Sequence, residues 1–257
     1  MRVDAPESSR FDVSRRSTTL TLRIPRDQET EAQPDSTFPL DIQEEEDSDE
    51  DRQIFTPTSS QNEGDPQPVQ QYCVQVIQAT QRGDQTLVDK LLKSGADPNA
   101  SDSFGCALTH AIRRGYVGIA IKLLESGADP NASDSFGCAL THAIRRGYVG
   151  IAIKLLKSGA DPNASDSFGC ALTHAIRGGY VDIAIKLLES GADPNASDSF
   201  GCALTHAIRG GYVDIAIKLL ESGADPNARD SFGCALTHAI RGGYVNIAKA
   251  LSGRGAK

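Results

Sequence analysis

The chain has 257 residues, of which 39% are hydrophobic and 23% are charged, and this length suggests one or two domains. It contains no run of about 18 apolar residues and no apolar core at its start, so we expect neither a membrane helix nor a secretory signal peptide. The net charge of −8 is divided unevenly, because residues 1–68 carry 7 Arg and 17 Asp or Glu, whereas residues 69–257 carry 19 basic and 17 acidic residues. The part from residue 69 onward is close to neutral, which does not favour nucleic acid as a partner.

The first segment, residues 1–68, is rich in Pro, Ser, Gln, Glu and Asp and has no hydrophobic periodicity. This composition predicts a disordered acidic tail. Within the tail, Glu44 to Asp51 forms an acidic run that only Ser48 interrupts. Two interpretations stay open: the run is a solvating linker, or it docks on the rest of the chain and competes with partners.

From residue 69 onward the sequence is a tandem repeat with a period of 32 residues. One unit reads SDSFGCALTHAIRRGYVGIAIKLLESGADPNA. Six copies follow one another: a degenerate N-cap at 69–100, four nearly identical repeats at 101–132, 133–164, 165–196 and 197–228, and a truncated C-cap at 229–257. A repeat of this length indicates a solenoid in which each unit contacts only its neighbours.

Each unit is predicted to contain two helices. In the unit at 101–132 the first spans about Cys106 to Arg114 and the second about Val117 to Ser126. Glycine follows both helices, and it suits the left-handed turn that ends a helix. Apolar residues at helical spacing define the buried stripe of the second helix: Val117, Ala120, Ile121 and Leu124, widened by Ile119 and Leu123.

Helices this short bury their apolar faces only by stacking on copies of themselves, and such a stack needs polar ends. The sequence supplies them. In the first unit Asp84 stands where the next unit has Tyr116, and in the last unit Lys249 and Ser252 replace an Ile and a Leu of the preceding unit. We therefore predict that the outer two units cap the stack.

The segment from Gly115 to Asp134 resembles the ankyrin repeat, whose usual form is G-H-x-x-V-V-x-L-L-L-x-x-G-A-D-x-N-A-x-D. The resemblance covers about residues 70–257 and implies an all-α solenoid of helix-turn-helix units with projecting loops. The usual first helix, G-x-T-P-L-H-x-A-A-x-x-G, is altered here, because one residue after Gly105 is missing and Cys106 takes the position of the Thr. Since Cys caps a helix poorly, we expect a different start of the first helix and a shorter or reshaped loop.

Cys106 and His110 stand four residues apart on one predicted helix, which raises two chemical alternatives. A Cys–His pair can be a nucleophile, and thiolate and imidazole both bind zinc. The pair recurs in five units, which is not how a single active site is built, and each unit supplies two ligands where structural zinc needs about four. We therefore expect no enzyme activity, no metal and no cofactor.

The cysteines also bear on the cellular compartment. Equivalent positions in stacked helical units lie roughly 8–10 Å apart, whereas a disulfide needs Cα atoms within about 7 Å. Cysteines that recur once per unit are therefore expected to stay unpaired. This favours a reducing compartment, cytoplasmic and/or nuclear.

The resemblance implies the function of a protein-binding scaffold or adaptor. Ankyrin repeats usually meet partners through loop tips and the inner face of the first helices. The matching loop-tip residues are Ser103, Phe104, Ser135, Phe136, Ser167, Phe168, Ser199, Phe200 and Phe232. The matching first-helix residues are Arg113, Arg114, Arg145, Arg146, Arg177, Arg209 and Arg241.

These residues would form an aromatic ladder and a parallel basic ladder, and aromatic and Arg residues dominate binding hot spots. The expected partner is another protein with an acidic or apolar segment, bound by a monomer. Two plainer interpretations stay open, in which each Phe packs on a neighbouring loop and each Arg is simply solvated. In a regulatory alternative, the acidic tail lies over the arginines.

The two halves of the repeat array differ at one position of the second helix. Gly118 and Gly150 become Asp182 and Asp214 in the later units. Glycine inside a helix costs about 1 kcal/mol relative to Ala, whereas Asp in the first turn is favourable by some tenths. We predict that the N-terminal half is the less stable one.

Overall fold

The computed structural model describes the backbone of residues 68–257 and the side chains of residues 71–257. The predictions of a disordered tail and of a docking acidic run concern residues that lie outside this part of the chain. The domain boundary between residues 68 and 69 stays a prediction. Among the described helices none is long and apolar enough to cross a membrane.

The described residues form six helix pairs joined by short loops, and a small β-hairpin precedes each pair except the first. The first helices of the units are α1 (Pro68–Gln81), α3 (Ala107–Arg113), α5 (Ala139–Arg145), α7 (Ala171–Arg177), α9 (Ala203–Arg209) and α11 (Ala235–Arg241). The second helices are α2 (Gln85–Lys93), α4 (Val117–Glu125), α6 (Val149–Lys157), α8 (Val181–Glu189), α10 (Val213–Glu221) and α12 (Val245–Gly253).

The hairpins consist of paired two-residue strands, antiparallel and each belonging to one unit. They are β1 (Ser101–Asp102) with β2 (Gly105–Cys106), β3 (Ser133–Asp134) with β4 (Gly137–Cys138), β5 (Ser165–Asp166) with β6 (Gly169–Cys170), β7 (Ser197–Asp198) with β8 (Gly201–Cys202), and β9 (Arg229–Asp230) with β10 (Gly233–Cys234).

Neighbouring units stack so that first helices contact first helices and second helices contact second helices. Leu108 and Ile112 of α3 are almost completely buried, as are Ile119 and Leu123 of α4. Burial of one such side chain contributes about 1.5–3 kcal/mol, so the apolar layer between units is the main source of stability. The stacking predicted from the repeat is therefore observed.

The buried stripe of the second helix is rotated from the predicted one. Ile119, Ala120, Leu123 and Leu124 are buried, whereas Val117 is 41% exposed and Ile121 is partly exposed. The prediction was wrong at Val117 because this residue opens the helix at its solvent-facing end. These four residues stand at positions i, i+1, i+4 and i+5 of the second helix and therefore share one face. This face meets both the first helix and the neighbouring units.

The first helix starts with a cap that contains sulfur. Cys106 is the N-cap residue, and its Sγ accepts a hydrogen bond from the backbone N–H of Thr109 at 3.4 Å. The Thr109 hydroxyl in turn accepts from the N–H of Cys106 at 3.1 Å, which completes a capping box. The helix therefore begins one residue later than predicted, and Thr109 compensates for the weak thiol acceptor.

The projecting loop is a tight hairpin with Ser103 and Phe104 at its tip. Ser101 pairs with Cys106 and Asp102 pairs with Gly105. Gly105 has a φ of +143°, and a Cβ there would lie 2.6 Å from the Thr109 hydroxyl. The capping Thr and the hairpin therefore require glycine at this position, which explains how the loop closes with one residue fewer.

The end units differ from interior units as expected for caps. Lys249 and Ser252 are exposed, although Leu220, which Ser252 replaces, is 3% exposed in the preceding unit. Tyr116 lies against Gly83 of the preceding unit. Asp84, at the same position of the first described unit, caps α2 by accepting from Leu87 N–H at 2.9 Å.

Candidate partner-binding surface

The hairpin tips present a row of exposed phenylalanines. Their rings stand out from successive units and keep substantial exposure: Phe104 65%, Phe136 44%, Phe168 49%, Phe200 56% and Phe232 62%. The neighbouring Ser103, Ser135, Ser167 and Ser199 are exposed as well. All loop-tip residues predicted from the sequence are thus open to a partner.

Four arginines of the first helices each contact the phenylalanine of the next unit. The four guanidinium groups lie 4.7–4.9 Å from the ring centroids in the pairs Arg113–Phe136, Arg145–Phe168, Arg177–Phe200 and Arg209–Phe232. A cation over an aromatic face is attracted by the ring quadrupole, with about 0.5–1 kcal/mol at exposed sites. This stacking connects two units that the core also connects.

Below each ring lies an aspartate that the sequence analysis did not single out. Asp166 Oδ1 accepts hydrogen bonds from the backbone N–H groups of Phe168 at 2.9 Å and Gly169 at 3.1 Å. His174 Nε2 lies 2.9 Å from the same oxygen. Because an ionised carboxylate only accepts hydrogen bonds, Nε2 of the histidine carries the proton in this contact.

The other oxygen of each interior aspartate faces the arginine of the preceding unit. The Nη1–Oδ2 distances are 3.6 Å in Arg113–Asp134 and Arg145–Asp166, 3.4 Å in Arg177–Asp198 and 3.3 Å in Arg209–Asp230. The four aspartate side chains are at most 1% exposed, while the arginines keep 23–32% of their surface. One carboxylate therefore fixes the hairpin, the histidine and the neighbouring arginine together.

The ionisation of these carboxyls reflects opposing influences. Burial raises the pKa of Asp134, Asp166, Asp198 and Asp230, but hydrogen bonds from the histidine and the backbone, together with the positive charges nearby, outweigh it. The pKa of each lies below its ordinary value. The ionised carboxylate is therefore the stable form at neutral pH.

The two ladders predicted as parallel are thus one interlocked series. We name it the Phe–Arg edge and define it by Phe104, Phe136, Phe168, Phe200, Phe232, Arg113, Arg145, Arg177, Arg209 and Arg241. Arg113 contacts Phe136 of the next unit and not the Phe of its own unit, because the offset between stacked units brings the next hairpin over the arginine. The missed aspartates did carry a signal, since an Asp precedes each His by eight residues in five units.

The edge is incomplete at both ends. In the first unit Gln81 stands where the next unit has Arg113, and its Nε2 donates to Asp102 Oδ2 at 3.1 Å. Asp102 is 27% exposed, unlike the interior aspartates. In the last unit Arg241 is exposed, and the described residues contain no following unit for it to contact.

Arg114 and Arg146 lie beside the edge and are exposed. Glycine takes this position in the later units. There the tyrosine of the same unit, for example Tyr180 next to Gly178, fills the space that a Cβ would need. Arg82 holds this position in the first unit and is exposed too, so the extra basic charge is confined to the first three units of the described array.

The Cys–His pairs serve structure in separate ways. The thiol of Cys106 contacts Thr109, whereas His110 is 6% exposed and its Nε2 lies 2.9 Å from Asp102. Each side chain is engaged with a different partner. In the part of the chain that the structure describes, no three His, Cys, Asp or Glu side chains gather in a way that could hold a metal ion.

Comparison with known proteins gives a consistent picture. A sequence model of ankyrin repeats, described as three copies, matches residues 76–166, 139–198, 154–230 and 172–257. Among solved structures, the chain is similar to an ankyrin repeat domain from Acinetobacter baumannii AYE, with 33% sequence identity and a TM-score of 0.62. That match covers 71% of this chain and 98% of the other. No curated protein matches the chain.

Proposed function

Because the chain belongs to the ankyrin repeat family, whose repeats are generally protein–protein interaction modules, we propose that it binds another protein through the Phe–Arg edge. The observation that carries this proposal is the row of rings that stay 44–65% exposed although an arginine supports four of them. A supported ring is an apolar contact whose position is fixed before a partner arrives. Such preorganisation lowers the entropy cost of binding.

The proposed contact surface combines the tips and the first helices. It comprises Ser103, Phe104, Arg113, Arg114, Ser135, Phe136, Arg145, Arg146, Ser167, Phe168, Arg177, Ser199, Phe200, Arg209, Phe232 and Arg241. Aromatic and Arg residues are the types that most often carry binding energy. The surface repeats once per unit, so it suits a partner segment that runs along several units.

The charges of the edge refine the proposed partner. Arg113, Arg145, Arg177 and Arg209 already face aspartates of the next unit, so they offer directed hydrogen bonds more than net charge. Arg114 and Arg146 are exposed and face no acidic partner among the described residues. We propose a partner segment with apolar residues for the rings and acidic residues near these two arginines.

A pull-down with a matched pair of variants tests the proposal. Phe136→Ser, Phe168→Ser and Phe200→Ser together remove the centre of the edge, and each ring is at least 44% exposed, so the fold is expected to persist. Lys122→Ser, Lys154→Ser and Lys186→Ser on the second helices are the control. Proteins captured by wild type and control but not by the edge variant support the proposal. Capture that the edge variant retains and the control loses contradicts it.

Binding to a captured protein is then measured for single variants. Truncating one central ring, Phe168→Ala, is expected to weaken binding by more than about 1 kcal/mol, the usual range for a hot spot. Lys154→Ala is expected to leave the affinity unchanged. Equal affinities for wild type and Phe168→Ala would contradict a role of the edge.

We further propose that the chain acts without catalysis and as a monomer. The Cys106 thiol is used in a helix cap and His110 in a contact with Asp102, so each side chain of the Cys–His pair is engaged with a different partner. Zinc at less than one equivalent in purified protein, measured by elemental analysis, is the expected result.

The six cysteines are all free, which supports a reducing compartment, cytoplasmic and/or nuclear.

The regulatory alternative, in which the acidic run of residues 44–51 lies over the arginines, remains a proposal of lower rank. Four of the arginines already have aspartate partners, which reduces the attraction that this arrangement requires. Removal of residues 1–68 would raise the affinity for an acidic partner if the run competed on the edge. Unchanged affinity would count against it.

A further inference from the structure

Within the described residues, the last helix pair leaves an apolar face uncovered that the interior units bury. Ile240 of α11 is 66% exposed, whereas Ile208, its counterpart in the preceding unit, is fully buried. Leu236 is partly exposed, although Leu204 at the same position of the preceding unit is fully buried. Together with Val245 they line an open groove between α11 and α12. The C-terminal cap is therefore polar at Lys249 and Ser252 of α12 and apolar at Leu236, Ile240 and Val245.

The same unit is unusually basic. Residues 235–257 contain four basic residues and no Asp or Glu. The corresponding segment of the preceding unit, residues 203–225, contains two basic and three acidic residues. Lys249 lines the groove, and Arg241 and Arg254 are exposed nearby in sequence. The uncovered face thus combines apolar contact with positive charge.

A second copy of the chain, stacked in the register of the repeats, does not fit this face. Within the array, Lys122 of one unit lies 3.9 Å from Asp89 of the preceding unit. In a stack of two copies the equivalent positions would bring Lys90 of one copy against Lys249 of the other. Asp84 would also replace the Tyr that covers a glycine at the interior junctions. Both mismatches oppose end-to-end stacking.

We propose that residues 38–51 of the same chain occupy this groove. Phe38, Leu40 and Ile42 alternate with other residues and immediately precede the acidic run Glu44 to Asp51. This order of apolar residues and negative charge is complementary to Ile240, Val245 and the basic groups of the last unit. The proposal does not require binding at the Phe–Arg edge, although a docked segment would lie beside Arg241 at the end of that edge.

The chain between the two sites is long enough. Ile42 and Pro68 are separated by 26 residues, which span at most about 86–94 Å when fully extended. The groove lies five units away from α1, or about 40–50 Å at the usual spacing of packed helices. A tethered segment of this length has an effective concentration in the mM range, so weak contacts suffice for docking.

Docking at this position gives the tail a defined role. It would cover the one face of the last unit that the repeats cannot cover, and it would place negative charge next to Arg241, at the end of the Phe–Arg edge. The C-terminal cap would then be completed by the N-terminal segment. A partner that needs Arg241 or Phe232 would meet a docked tail there.

Hydrogen exchange in the full-length protein tests the proposal, because the sequence of α12 (Val245–Gly253) occurs once in the chain and its peptides can be assigned. The test variant is Phe38→Ser, Leu40→Ser and Ile42→Ser. The matched control is Leu20→Ser, Leu22→Ser and Ile24→Ser, an apolar triplet of the same spacing that is flanked by arginines and lacks the acidic run. Ile240→Asp alters the groove itself, at a position exposed enough to leave the fold intact.

The expected result is exchange in α12 about tenfold faster in the test variant and in Ile240→Asp than in wild type and control, the change that corresponds to an effective concentration about ten times the Kd of the segment. A synthetic peptide of residues 38–51, added to the test variant, should restore slow exchange. Equal exchange in all four proteins overturns the proposal. Protection that disappears on dilution, with a doubled mass at high concentration, overturns it in favour of contact between copies.

Discussion

Interior junctions and end units of this protein are built from nearly the same helices, but only the interior junctions carry the complete cluster of Phe, Arg, Asp and His. At an interior junction Asp166 is 1% exposed and meets His174 of its own unit and Arg145 of the preceding unit. At the first junction Asp102 is 27% exposed and meets Gln81 in place of an arginine. The Phe–Arg edge is therefore a property of neighbouring pairs of units and not of single units.

This difference shows how a repeat array can prepare a binding surface while it stabilises itself. The arginine that supports the ring of the next unit also pairs with the buried aspartate beneath it. Loss of one junction would therefore affect both stability and the position of a binding residue. Four predictions measure how far the interior junctions differ from the ends, and they are given from the largest expected effect to the smallest.

Acidification is expected to weaken all interior junctions together. The pKa of Asp134, Asp166, Asp198 and Asp230 is lowered in the folded protein, because the histidine and arginine contacts outweigh burial. Their stabilising contribution is complete above the unfolded pKa, near 3.9, and is lost as the pH falls through the lower folded value. Urea midpoints should be constant from about pH 7 to pH 5 and fall below about pH 4. A midpoint that rises between pH 5 and pH 3 would contradict this sign.

Substitution of a single interior aspartate is expected to be the most damaging point change. Asp166→Ala removes the acceptor of His174 and the carboxylate that faces Arg145 at 3.6 Å, and removal of the buried partner of an ion pair costs about 3–5 kcal/mol. Asp102→Ala at the first junction should cost less, about 1–3 kcal/mol, because that side chain is more exposed and faces a neutral glutamine. Urea unfolding of both variants measures the difference. Equal losses would show that the interior arginine contributes nothing.

The apolar layer provides a second contrast between the same regions. Ile208→Ala removes a fully buried side chain between two units and should cost about 2–5 kcal/mol. Ile240→Ala, at the equivalent position of the last unit, should cost less, because the residue is 66% exposed and only the proposed docking of residues 38–51 would cover it. Thermal unfolding separates the two. A loss for Ile240→Ala as large as that for Ile208→Ala would contradict this difference between the two regions.

The smallest effect concerns the two halves of the array. Gly150→Asp should raise stability by about 1 kcal/mol, because it removes a helical glycine and places a negative charge in the first turn of α6. No atom lies within 4 Å of a Cβ built at Gly150, whereas one at Gly118 would meet the Gln85 side chain, so Gly118→Asp should gain less. The prediction that residues 101–160 exchange faster than residues 165–225 stays untested. Slower exchange in the first half would contradict it.

The sequence was sufficient to predict the ankyrin solenoid, which the family match and the solved relative confirm. The period of the sequence defines the unit. The glycines that follow each helix predicted the bounds of both helices to within one residue of those observed. The start at Cys106 was less predictable, because the capping value of a thiol depends on the Thr109 hydroxyl beside it.

The site was predicted less completely than the fold. Residue types and exposure at the tips follow from the pattern within one unit. The contact between Arg113 and Phe136 does not, because it depends on the offset with which one unit stacks on the next. Asp134 was overlooked for the same reason: it looks like a solvated loop residue in its own unit, and it is buried only when the preceding arginine covers it.

A double-mutant cycle across one interior junction is the most direct measurement of this shared cluster. Arg177→Gln and Asp198→Asn, singly and together, are compared by urea unfolding with Gln81→Ala and Asp102→Asn at the first junction. For the interior pair, in which Arg177 Nη1 lies 3.4 Å from Asp198 Oδ2, a coupling free energy of about 1–3 kcal/mol is expected. For the pair at the first junction the coupling free energy should be below about 0.5 kcal/mol. Additive losses at the interior junction, within about 0.5 kcal/mol, would contradict the conclusion that neighbouring units build the edge together.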